Sequence, residues 1–417
     1  MNLDARTAIE ALRAGVPNRA AIRLMGTEQT AIEHAFEAAL AAAWADRAPT
    51  RSGEAAAAIG IAGGFGTGKS HMLGYLAEAA RQQRFVVSRV VVSKETPLSH
   101  PAHVLAAAVR GAMLPDRPDD PIAACIASLR SRTDALDALE AAVSIPDSGF
   151  SALFPASLLL VRRAATEPET LHRIGRLWSG GKVALAAMKL AMKSAGAAKA
   201  FKLKAPKAGE LTSQITRFLP LLFRAAGYAG WCILLDEVEL IGRYTSLQRG
   251  LSYAGLAVWL GLDQARRVPG MVVTYAITDD FVTAVINARL DSEKMPERLV
   301  LKGRPADAEL ALAGIRHIER TVATRRLLPP TPDDLVACHD RLQRLYSAAY
   351  NWPAPPLPPA ERTSSRTMRQ YLKGWITQWD LRRLEGGEVV LVSSDIASNY
   401  SEDATLAEPG ALDDEGM

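Results

Sequence analysis

Eight consecutive residues, Gly63-Gly64-Phe65-Gly66-Thr67-Gly68-Lys69-Ser70, fit the pattern G-x-x-x-x-G-K-[ST] at every fixed position. The chemistry of that pattern is phosphate binding. Backbone N–H groups of a glycine-rich loop, and of the helix N-terminus behind it, converge on an anion. The run Gly63 to His71 is therefore assigned to the phosphates. Lys69 reaches the β- and γ-oxygens, and the Ser70 hydroxyl holds Mg²⁺. A carboxylate pair, Asp236-Glu237, follows the apolar run Ile233-Leu234-Leu235, so both acids emerge at the end of a buried strand. There Asp236 would complete the Mg²⁺ shell and Glu237 would polarise an attacking water. Alone, such a pair also reads as surface charge. Thr278-Asp279 close the next apolar run. They either bond the lytic water or cap the segment that follows. Arg289, Arg298, Arg366 and Arg369 are candidates for the guanidinium that meets charge on the γ-phosphate, which in such sites also comes from a neighbouring subunit. The catalytic set is Lys69, Glu237, Thr278 and Arg298.

These residues need a scaffold that sets them at one edge. The apolar run Ala55 to Ala62 enters the loop as a strand, and an amphipathic helix leaves it from Lys69 to about Gln83. Further strands are expected at Phe85 to Ser93, Trp231 to Leu235, Met271 to Ile277 and, briefly, Leu299-Val300-Leu301. Apolar strands alternating with helices predict an α/β fold with a parallel sheet covered on both faces. The loop then lies at the C-terminal edge, where open α/β sheets bind ligands.

The expected organisation has four parts. N-terminal helices occupy 1–50, with Thr27 capping a long helix from Glu28 to Arg47. A phosphate-loop core spans 51–305, with a helical insertion over about 100–225. A helical lid covers 306–395, broken by a loop with five prolines among eight residues, Trp352 to Pro359. An acidic tail, 396–417, is expected to be disordered; Glu402 to Met417 holds six acids and no base.

With 417 residues, 48% hydrophobic and 23% charged, the chain has the composition of a globular protein with an ample core. Its net charge of +4 does not by itself announce a nucleic-acid partner. Local clustering does more. Gly180 to Gly209 carries seven lysines (182, 189, 193, 199, 202, 204 and 207) and no acid. That stretch is a candidate for DNA phosphate contact, and equally a solvated face. Cys125, Cys232 and Cys338 lack metal-ligand spacing and read as buried thiols in a reducing compartment. With no signal-peptide pattern and no run of about 20 apolar residues, a cytoplasmic protein without membrane contact is expected.

With these residues in hand, the chain resembles the BREX-system P-loop ATP-binding proteins (BrxD-like) of phage-defence gene clusters. The likeness is carried by Ala11-Leu12-Arg13-Ala14-Gly15-Val16-Pro17-Asn18, by Gly63 to Leu73, and by Ser93-Lys94-Glu95-Thr96-Pro97-Leu98. It continues in Leu235-Asp236-Glu237-Val238-Glu239-Leu240-Ile241-Gly242-Arg243-Tyr244, Gln248-Arg249-Gly250, Ser252-Tyr253-Ala254 and Trp379-Asp380-Leu381-Arg382-Arg383-Leu384. The resemblance implies an AAA+-like ATPase that uses ATP and Mg²⁺, with a sensing arginine on its lid, here Arg366. It also implies self-assembly and defence partners such as a helicase. Glu239, Arg243 and Tyr244 have no general role in such folds and are expected to touch a partner or a neighbouring subunit. Two functional classes stay open: a hydrolysing switch or motor acting on DNA or a DNA-bound partner, and an ATP-dependent scaffold with negligible hydrolysis.

Overall fold

A computed structural model describes residues 2–15, 18–45, 58–117, 120–146, 148–163, 167–182, 184–263, 267–357 and 367–384. Arg366 and the acidic tail lie outside the described residues. Helix α1 (Leu3–Ala14) starts at Asn2, whose side-chain oxygen accepts from the Ala5 N–H, and stops at Gly15 in the left-handed region. Asn18 caps α2 (Arg19–Met25) in the same way. Helix α3 (Thr30–Trp44) is not capped by Thr27 as expected. The Thr27 hydroxyl instead accepts from the Gln29 N–H in the turn before it.

Strand β1 (Ala58–Ala62), α4 (Lys69–Gln82), β2 (Val86–Val91), α5 (Pro101–Arg110) and the short β3 (Ala112–Met113) follow. A helical insertion then comprises α6 (Pro121–Ser131), α7 (Thr133–Ser144), α8 (Leu153–Arg163), α9 (Pro168–Trp178), α10 (Leu185–Ser194) and α11 (Ala208–Ala225). The chain returns through β4 (Trp231–Asp236), a 3₁₀ turn Val238–Arg243, α12 (Ser246–Trp259), β5 (Met271–Ile277) and a π-helical turn Val282–Asn287. It closes with α13 (Asp291–Leu301), α14 (Pro305–Thr324), α15 (Pro332–Tyr350) and α16 (Met368–Leu384).

The five strands form one sheet in the order β1-β5-β4-β2-β3. The first four are parallel, and β3 pairs antiparallel with β2. The all-parallel expectation is corrected in two places. Leu299-Val300-Leu301 is the last turn of α13, with Leu299 buried and its two neighbours exposed. Three apolar residues are too few to reveal a period. The outer edge of β1 is met instead by a single parallel bridge to Arg326. The Ala62 N–H donates to Arg325 O at 2.9 Å, and the Leu327 N–H donates to Ala62 O at 2.7 Å.

Apolar residues fill both faces of the sheet, which is why the strands read as continuous apolar runs rather than alternating ones. Ile59, Ile61, Cys232 and Leu234 pack on one face beneath Phe36 and Leu40 of α3 and Leu73 and Leu76 of α4. Ile233, Leu235, Val273 and Tyr275 fill the other, against α12, α14 and the insertion. A third cluster joins the two ends of the described chain: Ala8, Ile9, Leu12 and Met25 pack with Leu342, Tyr346, Trp375 and Trp379. Arg13 reinforces it, donating from Nε and Nη2 to the Asp380 carboxylate at 3.1 and 2.9 Å. Thus α1 and α2 pack with α15 and α16, whereas α14, grouped with the lid in sequence, packs on the core. No helix among the described residues is long and apolar enough to cross a membrane.

One buried polar trio sits between β5 and α14. The Tyr275 hydroxyl lies 3.0 Å from His317 Nδ1 and 2.9 Å from Thr321 Oγ1. Burial, aided by the charges of Arg320 and Arg325, lowers His317 to about 4. The unfolded imidazole binds a proton below about pH 6.5 while the folded one stays neutral. This contribution to stability is present above that pH and drains as pH falls towards 4, by about 1.4 kcal/mol per unit. Urea unfolding should therefore show stability falling over this window. His317→Asn, which keeps a partner for Tyr275, should remove that share of the slope; equal slopes in both proteins would refute the assignment.

Candidate phosphate-binding site

The loop is launched between two strands. The Gly63 N–H donates to Ile277 O at 3.1 Å, so the chain leaves β1 tied to the end of β5. Gly66 and Gly68 then adopt φ of 74° and 108°, values that side chains with a Cβ rarely tolerate. Thr67 Oγ1 donates to Gly64 O at 2.9 Å and tightens the bend. Gly68 is the N-cap of α4, so the unpaired N–H groups of that helix's first turn face the loop. The Lys69 ammonium lies across it, donating to Gly63 O at 2.8 Å and Gly64 O at 3.1 Å. It also lies 5.4 Å from the Phe65 ring centroid and 3.8 Å from Glu239 Oε1.

The carboxylates arrive from β4. Asp236 is 7% exposed; its Oδ1 accepts from the Glu237 N–H at 3.0 Å and its Oδ2 lies 3.5 Å from Arg89 Nη2. The first bond holds Glu237 at a φ of 59°, a strained backbone of the kind that clusters at functional sites. Partial burial and the neighbouring Asp236 push the Glu237 carboxyl above its ordinary range, with Lys69 pulling the other way. Burial likewise raises Glu239.

Around these groups lies a cavity of about 320 Å³. Its polar end is the loop from Gly64 to Ser70 with Asp236, Glu237 and Glu239. Leu12 and Met25 from the N-terminal helices, Leu327, and Cys338, Met368 and Leu372 from α15 and α16 supply apolar wall. This is the size and character of a small-molecule site. Helix α16 touches the loop itself, the Arg369 N–H donating to Gly66 O at 3.4 Å.

Several expected residues therefore meet: Gly64 through His71, Asp236 and Glu237 all line this cavity. His71, assigned to the phosphates, is turned away. Its Nε2 is 2.7 Å from Gly26 O, joining α4 to the turn after α2, and burial lowers its pKa. Thr278 is buried behind the loop and does not line the cavity. The Asp279 carboxylate stands closer, with Oδ1 3.8 Å from where a Cβ on Gly64 would be. Arg298 is an exposed residue of α13, in a separate cleft with Arg249, Arg289 and Lys294. On α16 the arginine that reaches the cavity is Arg369. Tyr244, expected to face a partner, is buried, its hydroxyl donating to Ser93 O at 3.1 Å. Its carbonyl accepts from Arg249, whose guanidinium is paired with the fully buried Asp291 at 3.0 Å.

Comparison with known proteins adds one match. Residues 2–122 match the family described as BREX system ATP-binding protein BrxC/D. This bears out the resemblance read from the motifs. The matched span contains α1 to α5, β1 to β3 and the whole phosphate loop, and ends before Asp236. No curated protein and no solved structure matches the chain.

The donor set fits ATP: a helix N-terminus, a lysine and loop amides at one end, and apolar wall beyond. Among the described residues no group of three or more His, Cys, Asp or Glu could hold a metal. Mg²⁺ needs none, since it is held by one or two protein oxygens with phosphate and water. Ser70 and Asp236 are the candidates. Arg369→Ala should weaken ATP binding about tenfold by calorimetry, a loss of about 1.4 kcal/mol. Arg298→Ala, measured beside it, should leave binding in the isolated chain unchanged.

Proposed function

We propose that this protein is a Mg²⁺-dependent ATPase of AAA+ type, an ATP-driven switch or motor acting on DNA or a DNA-bound partner in phage defence. The observation that carries the reading is the cavity lined at once by the loop Gly64 to Ser70 and by Asp236 and Glu237. The family match supports ATP as the nucleotide. The strand order, with β5 between β1 and β4, supports the AAA+ layout, and α15 and α16 act as its lid.

When bound, ATP supplies the phosphoanhydride, and Mg²⁺ would supply charge neutralisation to the triphosphate. Lys69 and the amides of the loop hold the phosphates in place. Ser70 and Asp236 would hold the metal. The Glu237 carboxylate accepts a proton from water as the water oxygen bonds the γ-phosphorus and the bond from that phosphorus to the β–γ bridging oxygen breaks, giving ADP and phosphate. Asp279 or Thr278 helps to align that water. Arg369 senses the γ-phosphate from the lid. Arg298, exposed on α13, serves the site of a neighbouring subunit in a homo-oligomer. Steady-state turnover across protein concentration tests this. Lys69→Ala should lose ATP binding, while Glu237→Gln should keep binding and lose at least 100-fold in turnover, the scale of general-base removal. A wild-type rate equal to that of Glu237→Gln at every concentration, with partners present, would leave the scaffold reading in its place.

The lysine stretch is the proposed DNA surface. All seven side chains are exposed, and none is held in an ion pair among the described residues. Met188 and Met192 anchor α10 inward while Lys189 and Lys193 project from it. The lone aromatic, Phe201, packs against the core, so no stacking platform is offered to single strands. Duplex phosphates are the fitting partner. Neutralising Lys189, Lys193, Lys199 and Lys202 should reduce the slope of log affinity against log salt by about 0.9 for each lost contact. An unchanged slope would dismiss this surface.

A further inference from the structure

Glu239 stands two residues beyond the Asp236-Glu237 pair, yet it belongs to the same cavity. The 3₁₀ turn that follows β4 swings it inward over the loop. Its side chain is 14% exposed, its Oε1 is 3.8 Å from Lys69 Nζ, and its Oε2 is fully buried with no hydrogen-bond partner. A carboxylate in that position is costly unless it has a countercharge. Among the described residues the cation paired with it is Lys69. The same ammonium also donates to the carbonyls of Gly63 and Gly64, so two of its three N–H groups already bond oxygens of this chain while the Glu239 carboxylate supplies the nearby countercharge.

We propose that Glu239 is a positioning residue that restrains the Lys69 ammonium and so limits how tightly the loop holds a triphosphate. The inference rests on reading the cavity as a nucleotide site. A lysine that bonds phosphate oxygens has to give up part of this set. The Glu239 carboxylate opposes the exchange twice, by holding the ammonium and by placing a like charge beside the arriving phosphates. Both effects have one sign. Removing the charge while keeping the shape therefore strengthens binding, whereas a residue that only supports the fold would weaken it.

The test uses the full chain and ATP, titrated calorimetrically with a chelator and again with Mg²⁺. Beside it, the acylation rate of Lys69 by an amine-reactive ester is read by mass spectrometry without nucleotide. Glu239→Gln should bind ATP about tenfold more tightly in both titrations, and its Lys69 should acylate faster than in the wild type. Glu239→Asp, which draws the carboxylate back by one methylene, should show a smaller gain and serves if the Gln variant is unstable. Equal or weaker ATP binding by folded Glu239→Gln overturns the proposal. So does weakening seen only with Mg²⁺, which would make Glu239 a support for the metal. If the wild type binds no ATP but Lys69 acylates faster in Glu239→Gln, the nucleotide reading fails while the restraint on Lys69 stands.

Discussion

Parallel pairing in register is the constraint from which the site follows. Ala62 lies opposite Ile277, and Val91 opposite Asp236, so β1, β5, β2 and β4 end along one line. The residues just beyond that line are the phosphate loop, Thr278-Asp279 and the Asp236-Glu237 pair. A slip of one residue would turn Asp236 to the opposite face, away from the loop. Four parallel strands resist such a slip because both faces are apolar and covered. The site is thus positioned by the sheet, and its polar groups are spared most of that work.

Around this edge the molecule separates what must be rigid from what closes over it. The Arg249–Asp291 pair, with the Tyr253 hydroxyl donating to Asp291 at 2.8 Å, locks α12 to α13 and fixes the end of the 3₁₀ turn through Tyr244. Breaking one member of such a buried pair costs about 3–5 kcal/mol. That turn carries Glu239, so a network outside the cavity sets the orientation of a carboxylate within it. The cavity's other walls come from α1, α2, α15 and α16, a separate apolar cluster that meets the loop through Arg369 and Gly66.

Much of this was legible in the sequence, and the limits have physical causes. The loop glycines announce themselves because a positive φ restricts the choice of residue. The strands at Val86, Trp231 and Met271 show as apolar runs because both sheet faces are buried. Leu299 to Leu301 misled because three residues carry no period. The bridge at Arg326 left no signal, since one backbone pairing makes no demand on side chains. Glu239 was visible as a residue but not as part of the site, because its approach to Lys69 depends on a 3₁₀ turn. The tertiary pairing of Leu12 and Met25 with Cys338 and Leu372 around the cavity has no trace in local pattern, while Arg369 needed only the correct helix face.

The clustering of the chain's extremes has a further consequence, for the order in which the molecule can be assembled. During synthesis, the apolar face of α1 emerges more than 300 residues before its partners Trp375 and Trp379. Closing so long a loop brings its reward late, since the cost of joining distant segments is met before their contacts form. The sheet edge and its glycine turn can be complete while Leu12 and Met25 still lack their partners from α15 and α16. The polar end of the cavity is therefore formed before the apolar walls that α15 and α16 supply. A ribosome-bound fragment ending before α16 would carry the loop without the wall that Met368, Arg369 and Leu372 supply.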